Sequence, residues 1–497
     1  MTPGPVRAVI GGALKVFGGA FLALPTGLIT AAFLSRQLGP SGYGLFSVAA
    51  SIVVLLEVII SQVYTRATGN LLPGTEDWLQ TNAALAWRLF LVAGGVALGL
   101  MLTAPLIEAT LGTPQLAMLL VLYALEIPIY ALGQQQGVAL IARGRAGQRA
   151  VIIAARWLSR LLLMFAFVGA LSGDLVGAVL ANISSAAIEL LAARWFLQRL
   201  AAPQPLPLFL SRALNVSTGA FFLPLTLYFI GLEIFKRLDL WMVEVYRPSA
   251  EAGYYAAAQN LTFAIALVSF AISPVIQAQL SRLQRAGDRA GSQQLVGAVV
   301  RLPWVLLPFA AFGASTSGEI VAWIYDPTYA PTAVLLAPLI VAALALVMIN
   351  IQSNILIADH KATWVLVLHA PLAPLALLAN LLLVPALGAL GAALSTLVLA
   401  WVVVLSVYTI LLRRWQLRVP LRALVGCGLL SILVYGVSPL WSTTGWLLLV
   451  KLAVGCVVIG VVLLVGFVPN IDTIRRLIRA GISAGMKTNS NPMLGSK

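Results

Sequence analysis

Apolar runs long enough to cross a lipid bilayer recur along the whole chain, and they limit what it can fold into. Residues 116–125 and 447–464 are two of these runs. Hydrophobic residues fill 61% of the 497 positions and charged residues only 9%, with a mean hydropathy of +0.98. A soluble core cannot bury so much apolar surface, so we predict an all-α protein that crosses the membrane many times.

About fourteen segments reach the ~20 apolar residues that a helix needs to cross the hydrocarbon core. We number these predicted spans 1 to 14 in chain order: 9–34, 45–64, 89–107, 115–141, 151–171, 175–197, 221–246, 252–280, 295–314, 333–358, 364–384, 388–412, 421–439 and 443–468.

The basic residues mark one side of the membrane. Loops after odd-numbered spans carry only Arg36 and Arg247, whereas loops after even-numbered spans carry most of the others. By the positive-inside rule the even loops, the N-terminus and the C-terminus are cytoplasmic. The net charge of +15 therefore reflects membrane orientation, and we expect no nucleic-acid partner.

Few residues in this chain suit a cofactor or a metal. Cys427 and Cys456 both lie inside predicted spans, and two histidines, His360 and His369, are too few for a histidine-based metal centre. Residues 481–488 lack the glycine and lysine spacing of a nucleotide-binding loop. We expect no metal, no cofactor and no ATPase activity.

The tail, 470–497, begins with a basic amphipathic stretch, which predicts a segment on the inner membrane surface or a disordered one.

The chain contains an internal repeat. Residues 38–46 resemble 248–255, residues 140–146 resemble 356–362, and Gly177 corresponds to Gly391. The matched positions lie 211, 216 and 214 residues apart, as in Gly42 with Gly253 and Ile141 with Ile357. One repeat unit thus holds six spans, and both copies face the same way, related by an axis along the membrane normal.

The repeat predicts four segments. Residues 1–205 form an N-terminal six-helix bundle and residues 206–415 a second one. Residues 416–469 form an additional helix pair, and 470–497 a cytoplasmic tail. The transport site is expected between the two bundles.

Three short motifs resemble those of a known family. They are Leu-Gly-Pro-Ser-Gly-Tyr-Gly-Leu-Phe at 38–46, Ala-Gly-Tyr-Tyr-Ala-Ala-Ala at 252–258, and Gly-Ala-Leu-Gly-Ala-Ala at 388–393. Their order and spacing are similar to those of the polysaccharide biosynthesis flippases. These are the Wzx-type translocases of the multidrug, oligosaccharidyl-lipid and polysaccharide exporter superfamily. The resemblance covers residues 1–412, and the last two spans are typical of fourteen-helix members.

This resemblance implies a fold and a function. It implies two six-helix bundles in a V-shaped arrangement around a cationic central cavity, and alternating access without ATP hydrolysis. The implied substrate is undecaprenyl diphosphate carrying a short glycan, moved from the cytoplasmic to the outer leaflet for polysaccharide or lipopolysaccharide synthesis. Membrane lipids, and polysaccharide polymerase and export proteins, are the expected partners.

Four charges within seven positions of predicted span 7 are the first candidate site: Glu233, Lys236, Arg237 and Asp239. Each costs ~2.5–3.5 kcal/mol at the centre of a membrane helix unless it is paired, so the group must face a partner or a watery cavity. Helical spacing allows Glu233 to reach Arg237 and Lys236 to reach Asp239. One interpretation is two internal ion pairs; the other uses Lys236 and Arg237 as donors to a diphosphate, with the two acids keeping binding reversible.

Span 5 supplies a second group of bases, because Arg149, Arg156 and Arg160 step inward from the cytoplasmic side. Arg156 and Arg160 either receive the diphosphate or extend to lipid headgroups, and Lys15 in span 1 has the same two interpretations.

Glu57, Glu126 and Glu189 lie on spans 2, 4 and 6 and are candidates for proton coupling, because a buried carboxylate can change its protonation state. Hydrogen-bonded helix contact is the alternative for each. Amides such as Gln134 and Asn350 suit either sugar hydroxyls or interhelical hydrogen bonds.

Four other functions are considered. One is a non-catalytic scaffold, which would not need charges buried in mid-membrane. A multidrug exporter of the same superfamily typically has twelve spans, and some members use a carboxylate in span 1, which this chain lacks. A peptidoglycan lipid II flippase also has fourteen spans and an arginine-lined cavity. A membrane glycosyltransferase or polymerase generally needs a long outer loop with catalytic carboxylates, but residues 315–331 contain only Glu319 and Asp326. We therefore predict a transporter, not an enzyme.

Overall fold

The computed structural model describes residues 16, 18–73, 77–171, 173–200, 219–359, 362–417 and 421–466. Within these ranges every regular element is a helix. The α-helices are α1 Ala23–Leu71, α2 Trp78–Leu111, α3 Leu116–Tyr123, α4 Glu126–Ala142, α5 Ala146–Met164, α6 Asp174–Gln198, α7 Gly219–Tyr246, α8 Ser249–Arg285, α9 Arg289–Ser315, α10 Ser317–Ile324, α11 Thr332–Ala358, α12 Ala362–His369, α13 Leu372–Leu387, α14 Ala389–Arg414, α15 Leu421–Val437 and α16 Leu447–Gly466. A π-helical turn, Phe165–Ala170, continues α5, and 3-10 turns occur at Pro327–Tyr329 and Ser438–Leu440.

The prediction of an all-α multi-pass membrane protein is confirmed for the described part of the chain, in which eleven helices are long and apolar enough to cross a membrane. One of them, Gly18–Gly69, covers predicted spans 1 and 2, and α7 and α8 are not among the eleven. The count of fourteen and the repeat arrangement remain predictions. Lys15, His360 and the tail 470–497 lie outside the described residues.

The loop expected between spans 1 and 2 is instead a kink within α1. Gly39 has φ 64° and ψ 176°, and Pro40 follows it. A positive φ suits glycine, which has no Cβ, and proline cannot donate the helical hydrogen bond at the next position. The helix therefore bends sharply and continues, without an intervening loop.

The helices pack in two groups. In the first, α4 packs against α1, α2 and α6, and α5 packs against α6. In the second, α11 packs against α8, α9 and α14, while α7 contacts α12, α13 and α14. An extensive interface between α1 and α8, and a smaller one between α1 and α7, join the groups. The helices α15 and α16 pack on α9. The exact domain boundaries remain predictions.

The bundle has two distinguishable ends. We call the end that contains Gly39, Tyr329 and Gly388 the kink end, which the charge pattern predicts to lie outside. The opposite end contains Arg143, Arg289 and Arg414 and is called the arginine end.

Candidate functional site

Two arginines of α5 are buried against carboxylates of α4 and α6. Arg149 Nη1 lies 2.8 Å from Glu189 Oε1, and Arg156 Nη1 lies 2.9 Å from Glu189 Oε2. Arg156 Nη2 lies 3.4 Å from Glu126 Oε1. We call these four residues the α5 cluster. Its two positive and two negative charges match, and no side chain in it is more than 17% exposed.

Local sequence explains how the α5 cluster fits among apolar helices. Arg149 and Arg156 are seven residues apart, which is about two helical turns, so both lie on one face of α5. Gly137 of α4 leaves the space that the Arg149 guanidinium occupies, since a Cβ there would collide with it. Gln134 accepts a hydrogen bond from Arg149 at 2.7 Å and donates one to Glu189 at 3.0 Å.

The structure rules out one of the two interpretations of Arg156. Extension to lipid headgroups is wrong, because its guanidinium bonds two buried carboxylates and lies 4.3 Å from the centre of the Tyr130 ring. Arg149 contributes equally to this cluster. The sequence placed it among the inward-stepping bases of span 5, but only Arg156 and Arg160 were predicted to bind the substrate.

Glu57 of α1 is the third carboxylate of this region. It is 2% exposed and lies within electrostatic range of Glu126, Arg156 and Arg160. Its Oε1 atom and the Arg160 Nε atom have no hydrogen-bond partner among the described residues. The three coupling candidates, from three helices, thus converge around Arg156, and their role in coupling remains a prediction.

Predicted span 7 presents a different arrangement. Glu233 Oε1 bonds Lys236 Nζ and Glu233 Oε2 bonds Arg237 Nη1, so one carboxylate serves two bases. We call these three residues the α7 cluster. Lys236 is 33% exposed, twice as much as Arg237 at 16%. The cluster carries a surplus positive charge and is partly open.

The predicted pairing of Lys236 with Asp239 is wrong. Asp239 Oδ2 accepts hydrogen bonds from Tyr255 Oη and, at 3.1 Å, from Thr396 Oγ1. Its Oδ1 accepts from Leu240 N at 2.8 Å, and Gln259 Nε2 lies 3.3 Å from Oδ2. Neutral donors from α8 and α14 satisfy this carboxylate, so it joins three helices and does not neutralise either base.

The α7 cluster lies where α7 meets α1. A small cavity there is lined by Val58, Ile59, Gln62 and Arg66 of α1 and by Phe229, Ile230 and Glu233 of α7. Arg66 lies 4.5 Å from the centre of the Phe229 ring. Arg66 therefore lines the same cavity as Glu233, the carboxylate that pairs with Lys236 and Arg237.

Several predicted amide positions make helix contacts. Gln135 donates to Asn82 at 2.8 Å, and Asn82 donates to Gln136 at 3.1 Å. Asn350 and Asn354 each donate to a carbonyl of their own helix. For these residues the structure shows hydrogen bonding within and between helices.

The two helix groups meet tightly at the kink end. A Cβ on Gly44 would collide with the Ser249 carbonyl, and a Cβ on Gly253 would collide with the Pro40 carbonyl. These glycines, on α1 and α8, allow a reciprocal backbone contact. Beside it, Asn260 donates to the Tyr43 hydroxyl at 2.6 Å, and the Tyr43 and Tyr329 ring centres lie 6.3 Å apart.

A separate ion pair attaches α16. Lys451 Nζ lies 2.5 Å from Glu319 Oε1, and Lys451 is fully buried. Glu319 Oε2 also accepts from Thr443 N at 3.2 Å. Desolvation alone would raise the pKa of Glu319, but the hydrogen bonds from Lys451 and Thr443 outweigh it, so its pKa lies below the usual value.

The described helices have the fold of solved multi-pass membrane transporters. The lipid II flippase MurJ, in an inward closed conformation, is similar with a TM-score of 0.73 at 12% identity, over 89% of this chain and 96% of that chain. An inward-facing MATE multidrug resistance transporter of the MOP superfamily has a TM-score of 0.60 at 13% identity, over 82% of this chain and 94% of that one. A mutant of the Vibrio cholerae MATE transporter VcmN has a TM-score of 0.57 at 16% identity, over 82% of this chain and 97% of that chain.

Sequence comparison gives the family. The family model described as polysaccharide biosynthesis protein matches residues 12–278, more than half of the chain. The chain belongs to this family, and the resemblance drawn from its motifs is confirmed. No curated protein sequence matches it.

Proposed function

We propose that this protein is a flippase that moves undecaprenyl-diphosphate-linked oligosaccharide from the cytoplasmic to the outer leaflet of a bacterial inner membrane. Membership of the polysaccharide biosynthesis family supports a polysaccharide precursor as the cargo. The observation that carries the proposal is the excess of base where α1 meets α7.

The chemistry of that junction suits a diphosphate. Lys236 and Arg237 share Glu233, and Arg66 is stacked on Phe229, so the local charges sum to a positive value. A guanidinium donates two parallel hydrogen bonds to phosphate oxygens, and partial burial strengthens them. Glu233 competes with the phosphate for the same donors, which allows release on the other side.

Alternating access needs a contact that can open. The reciprocal approach of Gly44 and Gly253 and the neighbouring tyrosines form the closed contact between α1 and α8 at the kink end. We assign this contact the role of outer gate. The three carboxylates near Arg156 are the coupling candidates, with Glu57 foremost because one of its oxygens has no hydrogen-bond partner within the described residues.

A second function in the same fold is lipid II translocation, which the likeness to MurJ favours. Both substrates carry a diphosphate and a glycan, so the base-rich junction suits either. A multidrug exporter acting on cationic compounds fits less well, because surplus positive charge repels such substrates.

The test is to delete the gene and identify, by mass spectrometry, the lipid-linked saccharide that accumulates on the inner leaflet. We expect an undecaprenyl diphosphate carrying a polysaccharide repeat unit. Accumulated lipid II would establish the second function. Increased drug sensitivity with no accumulated saccharide would overturn both.

The purified protein should also move this saccharide across liposome membranes without ATP. If the deletion strain loses its surface polysaccharide while the polymerase and export proteins are still present, the flippase acts upstream of these proteins in polysaccharide synthesis.

A further inference from the structure

A cavity of about 870 Å³ opens at the arginine end, between the ends of α8, α9, α11 and α14. This volume lies in the range of about 300–1,000 Å³ that is usual for small-molecule sites. None of its lining residues belongs to the α5 cluster or the α7 cluster. It is therefore a second place where a ligand fits, apart from the base-rich junction.

The charges of this cavity are balanced. Among the described lining residues, Asp288 and Asp359 face two bases, Arg289 and Arg414. Asp359 Oδ2 accepts from Arg414 Nε at 2.6 Å, and Gln284 Nε2 lies 3.4 Å from Asp359 Oδ1. A diphosphate requires surplus base, as at the α7 cluster, and this cavity does not offer it. Its chemistry favours an uncharged ligand.

Uncommitted hydrogen-bonding groups line the same space. Gln277 and Ser281 are one turn apart on α8, and neither side chain has a hydrogen-bond partner within the described part of the chain. Trp415 Nε1 is buried and equally unpartnered there. Together they offer an amide with donor and acceptor, a hydroxyl and an indole N–H.

Such a combination suits a polyhydroxyl ligand. Sugar hydroxyls both donate and accept, which amides and serine hydroxyls can match, and the apolar C–H faces of a sugar ring pack against aromatic and aliphatic surface. Trp415 and Ile357 supply such surface beside the polar groups. A neutral, hydroxyl-rich ligand thus satisfies more of this cavity than a phosphate or an apolar molecule.

We propose that this cavity binds the uncharged glycan of the lipid-linked substrate, while the α7 cluster receives the diphosphate. The proposal rests on the proposed function and extends it by giving the glycan its own binding site. The cavity lies at the predicted cytoplasmic side, where the substrate would be loaded. Recognition of the sugar there precedes translocation.

The test measures binding directly, without transport. The probe is the phosphate-free glycan released by mild acid from the polyprenyl-linked saccharides of the deletion strain, with inorganic pyrophosphate as a second probe. The protein, full length and in lipid nanodiscs, is titrated by calorimetry, and glycan contacts are mapped by saturation-transfer NMR. We expect the Gln277→Ala, Ser281→Ala double variant to bind the glycan at least tenfold more weakly and to bind pyrophosphate as the wild type does.

The neighbouring arginines give a matched pair. Arg414 lines the cavity and holds Asp359, whereas Arg413 is exposed and does not line it. Arg414→Gln should weaken glycan binding, and Arg413→Gln should not. Size-exclusion chromatography of both variants separates a loss of folding from a loss of binding.

The outcomes separate the two proposals. Unchanged glycan binding in the double variant, or pyrophosphate binding that depends on Gln277 and Ser281, would overturn the cavity proposal. If the wild type does not translocate the lipid-linked saccharide in liposomes, the proposed function fails whatever the titrations give. If it translocates the saccharide but binds no free glycan, only the cavity proposal fails.

Discussion

The α5 cluster and the α7 cluster contain the same kinds of side chain in different proportions. In the α5 cluster, two arginines meet two carboxylates, and Glu189 is only 1% exposed. In the α7 cluster two bases share Glu233, and Lys236 is one third exposed. We propose that balance and burial give the first a mainly structural role, whereas surplus charge and access make the second available to an anion.

The difference shows how charge within a membrane protein can be assigned a role. A buried ion pair is costly to break because the remaining charge is left without a partner. A base that shares its carboxylate with another base can exchange that partner for a phosphate at lower cost. Variants of both clusters test this contrast.

Replacing Glu189 should have the largest effect. Glu189→Gln leaves the buried Arg149 without a carboxylate partner and Arg156 with Glu126 alone, so we expect the free energy of unfolding to fall by about 3–5 kcal/mol. Thermal unfolding in detergent and abundance in the membrane measure this. Glu126→Gln is the control and should cost less, since its oxygen lies 3.4 Å from a single guanidinium. Wild-type stability of Glu189→Gln would show that the α5 cluster does not fix the fold.

Arg237→Ala should leave the protein folded but reduce transport at least tenfold. Glu233 keeps Lys236 as a partner, so little stability is lost, whereas the anion loses a two-pronged donor. Transport of lipid-linked saccharide into liposomes, normalised to protein amount, is the measurement. Arg194→Ala, on the exposed face of α6, is the control and should transport normally. Normal transport by Arg237→Ala at normal abundance would remove the substrate role.

Asp239→Asn should show the opposite pattern to Arg237→Ala. The amide cannot accept all the hydrogen bonds that Tyr255, Thr396 and Leu240 N now donate, so stability should fall by about 1–3 kcal/mol. Transport per folded molecule should change little. Tyr255→Phe, which removes a single donor, should cost less. A selective loss of transport in Asp239→Asn would instead place this carboxylate in the substrate path.

The Glu319 and Lys451 pair should give the smallest effect, limited to stability at low pH. Because hydrogen bonds hold the pKa of Glu319 below its usual value of about 4.3, the stabilisation is complete at neutral pH and is lost as the pH falls through that lower pKa. Between pH 5 and pH 3 we expect the Tm of the wild type to fall by roughly 2–4 °C more than the Tm of Glu319→Gln. Equal pH dependence of the two proteins would rule out this contribution.

Much of the fold followed from hydropathy. Apolar segments of membrane length must become helices because no water is present to satisfy the backbone, so span positions are readable from composition. The kink at Gly39 was missed, since glycine and proline together are more typical of a loop. The close contact between Gly44 and Gly253 brings the kink of α1 against α8, which spacing alone does not show.

The charged residues of the site could be predicted from the sequence, but which of them pair with each other could not. Glu233 and Arg237 pair as their four-residue spacing indicates. Lys236 and Asp239 do not pair, because Tyr255 and Thr396 approach Asp239 from other helices. Local spacing shows which residues can meet on one helix, but it gives no information on competing partners from neighbouring helices.

A multi-pass helical membrane protein, its family and the residues that carry charge into the apolar interior could all be recognised from the amino-acid sequence. Those features follow from composition and local spacing, because the free energy of transferring each residue into the membrane decides which segments become membrane helices. The packing of the helices, in contrast, brings Glu57, Glu126 and Glu189 together around Arg156, and it places Arg66 in the same cavity lining as Glu233. The physical reason is that electrostatic energy depends on distances between helices, which the packing of large apolar faces sets.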